Sequence, residues 1–102
     1  MSEHAVLVHI TNARAELGLD EIEDPLIEAI AAANAGEFDG NEIGPVDATL
    51  YMYGPDADRL FEVVKRVIAM LDIPADVQAV RRYGEPGAPE DHVWLKGGPS
   101  ES

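Results

Sequence analysis

The chain contains no cysteine. Disulfide staples, thiolate nucleophiles and cysteine-ligated zinc are therefore excluded, which suits a reducing compartment. Long apolar runs are missing too: no stretch approaches the roughly 18 residues a membrane helix requires. The start, Met1-Ser2-Glu3-His4, has neither the basic cluster nor the apolar stretch of a secretory signal. A cytoplasmic protein with no membrane partner is expected.

Positive charge is the third scarcity. Seven Lys and Arg face 20 Asp and Glu, a formal net charge of −13 over 102 residues. Residues 1–58 hold 13 acids against Arg14 alone, a net of −12, whereas residues 59–102 hold 7 acids against 6 bases, a net of −1. Such a field repels phosphate backbones and anionic lipid, which argues against nucleic-acid partners. It attracts a basic protein or a cation. The plainer account is a solvated surface kept soluble by like charge, as in a salt-adapted proteome.

What is present is enough for one hydrophobic core. The apolar fraction is 46% and the charged fraction 26%, ordinary for a globular chain of one domain. A single α+β domain is expected over residues 1–96, followed by a flexible tail over 97–102.

The organising stretch is Val46 to Leu71. Val46, Ala48, Leu50 and Met52 alternate with Asp47, Thr49, Tyr51 and Tyr53, so a strand with one apolar face is expected over Val46–Tyr53. Gly54-Pro55-Asp56 turns the chain into a helix with Leu60, Val64, Val67, Ile68 and Leu71 as its buried stripe, joined by Phe61 and Val63. Pro74 is expected to stop that helix.

Upstream, His4–Ile10 reads as a central strand, apolar on both faces. Residues 13–17 suggest a helical turn inside a long connection. Asp24-Pro25 looks like a cap and first helical position. The stripe that follows is Leu26, Ile27, Ile30, Ala31 and Ala33, with Gly36 suited to the left-handed end. Glu37–Ile43, interrupted by Gly40 and studded with carboxylates, reads as an edge strand. Downstream, Ala75–Tyr83 reads as a strand in which Val77 and Ala79 alternate before Val80 breaks the phase. His92–Lys96 reads as a short extra strand.

The order is thus βαββαβ, the ferredoxin-like split βαβ pattern, with both helices on one face of the sheet. Aromatics on a central strand of this topology are shared with the RNA-recognition motif. The Lys/Arg-Gly-Phe-like consensus is absent, however, and the acidity opposes RNA.

If Leu50 and Met52 face the helices, Thr49, Tyr51 and Tyr53 lie on the uncovered face. There Ala5-Leu7-His9 would place His9 near a tyrosine, with Arg82 beside them. His9, Thr49, Tyr51, Tyr53 and Arg82 are therefore the candidate ligand- or partner-binding residues. The plain alternative is that they only cover the open sheet or meet a second copy.

Asp39, Glu42 and Asp47 are the candidate surface for a basic partner. Asp39-Gly40-Asn41-Glu42 with Asp47 has oxygen ligands but not the spacing of a calcium loop, and an Asx- and Gly-rich turn accounts for it. His4, His9 and His92 are scattered. No phosphate loop or nucleophile elbow occurs, so no metal, cofactor or catalytic residue is assigned.

The run Gly36-Glu-Phe-Asp-Gly-Asn-Glu-Ile-Gly44, followed by Ala48-Thr-Leu-Tyr-Met-Tyr-Gly-Pro-Asp-Ala-Asp58, resembles a pattern in small, uncharacterised bacterial proteins. That resemblance implies a bacterial, single-domain α+β protein and carries no activity. The functional expectation is a non-enzymatic binding or regulatory domain, a homo-oligomer working through its open sheet face. Its rivals are an acidic immunity- or inhibitor-type protein that neutralises a basic partner, and a small pocket enzyme formed between paired sheets with His9 and a tyrosine as acid and base.

Overall fold

The structure is a computed structural model that describes residues 3–13, 18–44 and 47–98. Its elements are β1 (His4–Thr11), α1 (Asp20–Ala33), β2 (Glu37–Ile43), β3 (Ala48–Gly54), α2 (Ala57–Met70), β4 (Asp76–Arg82) and β5 (Glu90–Lys96). The strands form one open antiparallel sheet in the order β2-β3-β1-β4-β5. The result is an α+β architecture of five strands and two helices. As the alternation implies, β1 and β3 are interior and β2 is an edge.

The core forms where period-2 strand faces meet period-3.6 helix stripes. Val6, Val8 and Ile10 of β1, Leu50 and Met52 of β3, and Val77 and Ala79 of β4 share one buried cluster with Ile22, Leu26 and Ile30 of α1 and Leu60, Phe61, Val64 and Ile68 of α2. Both helices therefore cover the same face. Each large side chain buried there contributes about 1.5–3 kcal/mol of transfer free energy, and the opposite face receives neither of the described helices.

α2 follows its sequence signals closely. Asp56 is extended, and its carboxylate accepts the backbone N–H of Asp58 and Arg59, which satisfies two of the orphan donors of the first turn. The stop differs from expectation. The helix ends at Met70 with Leu71 already extended, so Pro74 lies beyond the end and Leu71 is only half-buried.

α1 corrects the sequence reading at both ends. It begins at Asp20, so Pro25 sits inside the helix. Three acids in the first turn, Asp20, Glu21 and Glu23, favour the positive end of the helix dipole. Ile22 extends the stripe of Leu26 and Ile30 by another i,i+4 step, so burial starts the helix earlier than Pro25 alone suggests. Ile27 and Ala31, expected in the stripe, are exposed. At the other end Asn34, not Gly36, takes the left-handed position at φ 51°; asparagine is the usual second choice there.

β5 is a seven-residue member of the sheet rather than a short addition. Val93 and Leu95 pack against the core, and β5 pairs along the length of β4. Val80 does not break the phase of β4. It is buried on the other face of the sheet from Val77 and Ala79, opposite Leu7 and His92.

Three expectations fall on residues outside those described: the helical turn, from Arg14 to Leu17; Pro45 and Val46 at the start of the organising strand; and the tail from Pro99 onward. No described helix is long and apolar enough to cross a membrane.

Candidate functional site: the uncovered sheet face

Because side chains alternate along each strand, the residues between the core positions all point away from the helices. The cross-strand register assembles them into three rows. The first is Glu37–Tyr53–Ala5–Arg82–Glu90, the second Gly40–Tyr51–Leu7–Val80–His92, and the third Glu42–Thr49–His9–Gln78–Trp94. Leu7 is at the centre, flanked by Tyr51 and Val80.

The centre is apolar and the margins are polar. Ala5 and Val80 are buried and Leu7 is half-buried. Around them the polar groups are held in place. His9 Nδ1 and Thr49 Oγ1 share a hydrogen bond of 3.0 Å. The Tyr51 hydroxyl donates to Glu42 Oε1 at 3.1 Å. Arg82 Nε–H donates to the Gly84 carbonyl at 2.9 Å, and His92 Nε2 lies 3.3 Å from Glu90 Oε1. The bond to Glu42 pushes the Tyr51 hydroxyl above its ordinary pKa, with burial and the carboxylate's charge adding to the effect. Tyr51 is therefore a neutral donor over the whole physiological range.

All five sequence-derived candidates, His9, Thr49, Tyr51, Tyr53 and Arg82, lie on this face, but not as one cluster. His9 and Thr49 sit directly opposite each other in the third row, with Tyr51 diagonal to them. Tyr53 and Arg82 lie in the first row with Ala5 between them, so their strands are about 9–10 Å apart. His9 is four residues along β1 from that row, about 13 Å away. His9 is engaged with Thr49, and Tyr51 with Glu42, rather than with each other.

The acidic candidates occupy the β2 side. Asp39 lies in the register shift between Phe38 and Gly40, and Glu42 in the third row. Asp47 precedes β3, where its carbonyl accepts the N–H of Gly44 at 2.8 Å. All three are exposed. Among the described residues no group of three or more His, Asp or Glu is placed to hold a metal ion.

Apart from Arg82, sequence reasoning missed the β4–β5 half of the face, namely Val80, His92 and Trp94, together with Glu37 on the opposite edge. The available signal was the alternation of His92 and Trp94 with Val93 and Leu95. A segment so near the end of the chain reads as a short addition, which hides that alternation.

Two grooves lie on the helix side, away from this face. One, of about 760 Å³, is lined by Gly18, Asp20, Glu21, Asp24 and the Leu71–Pro74 segment. The other, of about 580 Å³, runs between α1 and α2 past Ala29, Ala32, Val67 and Met70.

No protein-family model matches the chain, and neither a curated protein nor a solved structure matches it.

Proposed function

We propose that the chain is a ferredoxin-like domain, extended by β5, that acts in the cytoplasm as a binding or regulatory domain through its uncovered sheet face, by self-association or by taking up a partner. The fold assignment is supported by the order β2-β3-β1-β4 within the sheet and by two helices on one face.

One observation carries the binding role. Leu7 and Val80 form an apolar centre bordered by Tyr51, Tyr53 and Trp94, inside a margin of hydrogen-bonded polar groups. An apolar, aromatic centre within a polar rim is the anatomy of a protein interface. Tyr and Trp are also the side chains that most often supply its binding energy.

The test is the double substitution Tyr51→Ser and Tyr53→Ser. Neither ring belongs to the core beneath the helices, so the domain should stay folded by circular dichroism while self-association or partner capture weakens. A wild-type chain that is monomeric by light scattering, and a double variant that captures partners as well as wild type, would sink the reading.

A second reading draws on the exposed carboxylates Asp39, Glu42 and Asp47 along the β2 edge, which suit a basic protein partner. Its binding should fall steeply with added salt and fail when the three become amides.

A further inference from the structure

We propose that the occupant of the open face is a second copy of this chain, seated about a two-fold axis that runs along the strands between β1 and β3; this rests on the reading of the face as a binding surface. In this arrangement β2 of one protomer lies over β4 of the other, and Glu37 meets the partner's Arg82.

The two flanks of the face differ in charge. Its β2 side carries Glu37 and Glu42, while the β4–β5 side carries Arg82 and His92 with Glu90. A face with acid on one flank and a cation on the other can complement itself, provided the symmetry brings the flanks together.

Two-fold pairing of sheets face to face requires an axis in the interface plane. An axis across the strands exchanges the first row with the third and lays β2 on β2. Glu37 then faces the partner's Glu42, twice over, in a chain that already carries a net charge of −13. An axis along the strands keeps each row on itself and reverses strand order. Placed between β3 and β1, it brings Tyr51 onto the partner's Leu7, and Gly40, which has no side chain, over the partner's Val80. It also sets Glu37 against the partner's Arg82. The usual rotation of about 30° between packed sheets makes these pairs neighbours rather than eclipsed.

The overlap is at the small end for a dimer. The four overlapping strands, about 4.8 Å apart and about 23 Å long, offer about 440 Å² on each copy, or roughly 900 Å² in total, close to the bound of about 1,000 Å² for a specific interface. Beyond β4, β5 overhangs the partner's β2, which brings Trp94 to the rim.

The experiment is a charge exchange followed by native mass spectrometry and sedimentation. Wild type should dimerise. Glu37→Arg and Arg82→Glu should each weaken the dimer by about tenfold or more, since an isologous contact is broken twice. The double variant E37R/R82E should recover it, and an equimolar mixture of E37R and R82E should form the mixed dimer that neither forms alone. Arg82→Gln, which introduces no repulsion, is the second variant should Arg82→Glu unfold, and it should weaken the dimer less than E37R does. If wild type dimerises through Tyr51 and Tyr53 but the exchange neither breaks nor restores it, the orientation is wrong while the binding face stands. If wild type stays monomeric into the millimolar range, the second copy is refuted, and only the partner reading of the face remains.

Discussion

Gly36 and Gly54 lie back to back where the end of α1 passes the end of β3. A Cβ added to Gly36 would come within 2.9 Å of the Gly54 Cα, and one added to Gly54 within 3.3 Å of the Gly36 Cα. The nearest obstacles are backbone carbonyls, that of Tyr53 for Gly36 and that of Ala35 for Gly54. Neither can swing aside as a side chain would. This close approach fixes β2 against β3 next to Tyr53.

Substitution at this junction should therefore be costly. Gly54→Ala and Gly36→Ala are each expected to lower stability by more than about 2 kcal/mol, through steric strain that the backbone must absorb. Gly40→Ala is the control. It has a positive φ of 147° but open space around it, so the loss should be nearer 1 kcal/mol. Urea denaturation of the three variants gives the order directly, and equal losses at all three positions would contradict the close approach.

The N-terminus of α2 holds a second test. His4 Nδ1 accepts the backbone N–H of Ala57 at 3.0 Å, and its ring stands edge-on to Tyr83 with centroids 5.8 Å apart. Together with the Asp56 cap, His4 satisfies donors that the helix itself cannot. His4→Ala and Asp56→Ala should each cost about 1 kcal/mol. The two should add within about 0.5 kcal/mol, because they serve different N–H groups.

How much of this was legible in the sequence follows from the same residues. The β3–α2 unit is readable because its main local signals agree: alternation from Ala48 to Tyr53, the Gly54-Pro55-Asp56 turn, and Leu60, Val64 and Ile68 along one helix face. The side of β1 that faces solvent was readable from His9. Pro25 alone points to a later start of α1 than the one observed, because the burial of Ile22 and the acidic first turn outweigh it. The paired groups on the face escaped altogether. Thr49 against His9, 40 residues apart, and Arg82 two strands from Tyr53 depend on register between strands distant in the sequence, which no local pattern encodes.

Arg81 gives a third prediction, on the helix side of β4. Its guanidinium lies 4.4 Å from the centroid of the Phe61 ring and pairs with Asp58 at 3.2 Å and Asp91 at 3.3 Å. Both carboxylates are more than half exposed, so those pairs are weak, and the burial of the Arg81 side chain, with its guanidinium on the Phe61 ring, does most of the stabilising. Arg81→Met should stay within about 1 kcal/mol of wild type, whereas Arg81→Ala should lose about 2 kcal/mol. Thermal melts at low and high salt separate the two contributions, and a large salt effect on wild type alone would favour the ion pairs.

Alkaline pH tests the tyrosines. Tyr51 is held above the ordinary value of 10.0 first by its hydrogen bond to Glu42. Tyr83 is held above it first by its bond to Asp58, 2.7 Å from the hydroxyl. A folded state that grips a proton more tightly than the unfolded chain has that stabilisation in full below pH 10. It loses it as pH rises through the raised value. Tyrosinate absorbance should therefore extend above pH 10 in the folded protein, and Tyr51→Phe and Tyr83→Phe should each remove a late component. Titration of either residue at the ordinary value would mean that its carboxylate partner is not engaged in solution.

Trp94 reports on the face itself. It is the only tryptophan in the chain, it is 41% exposed, and it shares the third row with His9 and Thr49. Covering the sheet face should move its emission to shorter wavelength and reduce quenching by acrylamide, because an indole at an interface rim loses water contacts. In a self-associating chain both effects should appear on concentration and reverse on dilution. The Tyr51→Ser, Tyr53→Ser variant should remain red-shifted at concentrations where wild type is not. Glu37→Arg should behave like it, and the mixture of E37R with R82E should regain the wild-type spectrum. An emission maximum that is independent of concentration, in a chain shown to dimerise by mass, would place the contact elsewhere; the helix-side groove past Met70 is then the surface to substitute next.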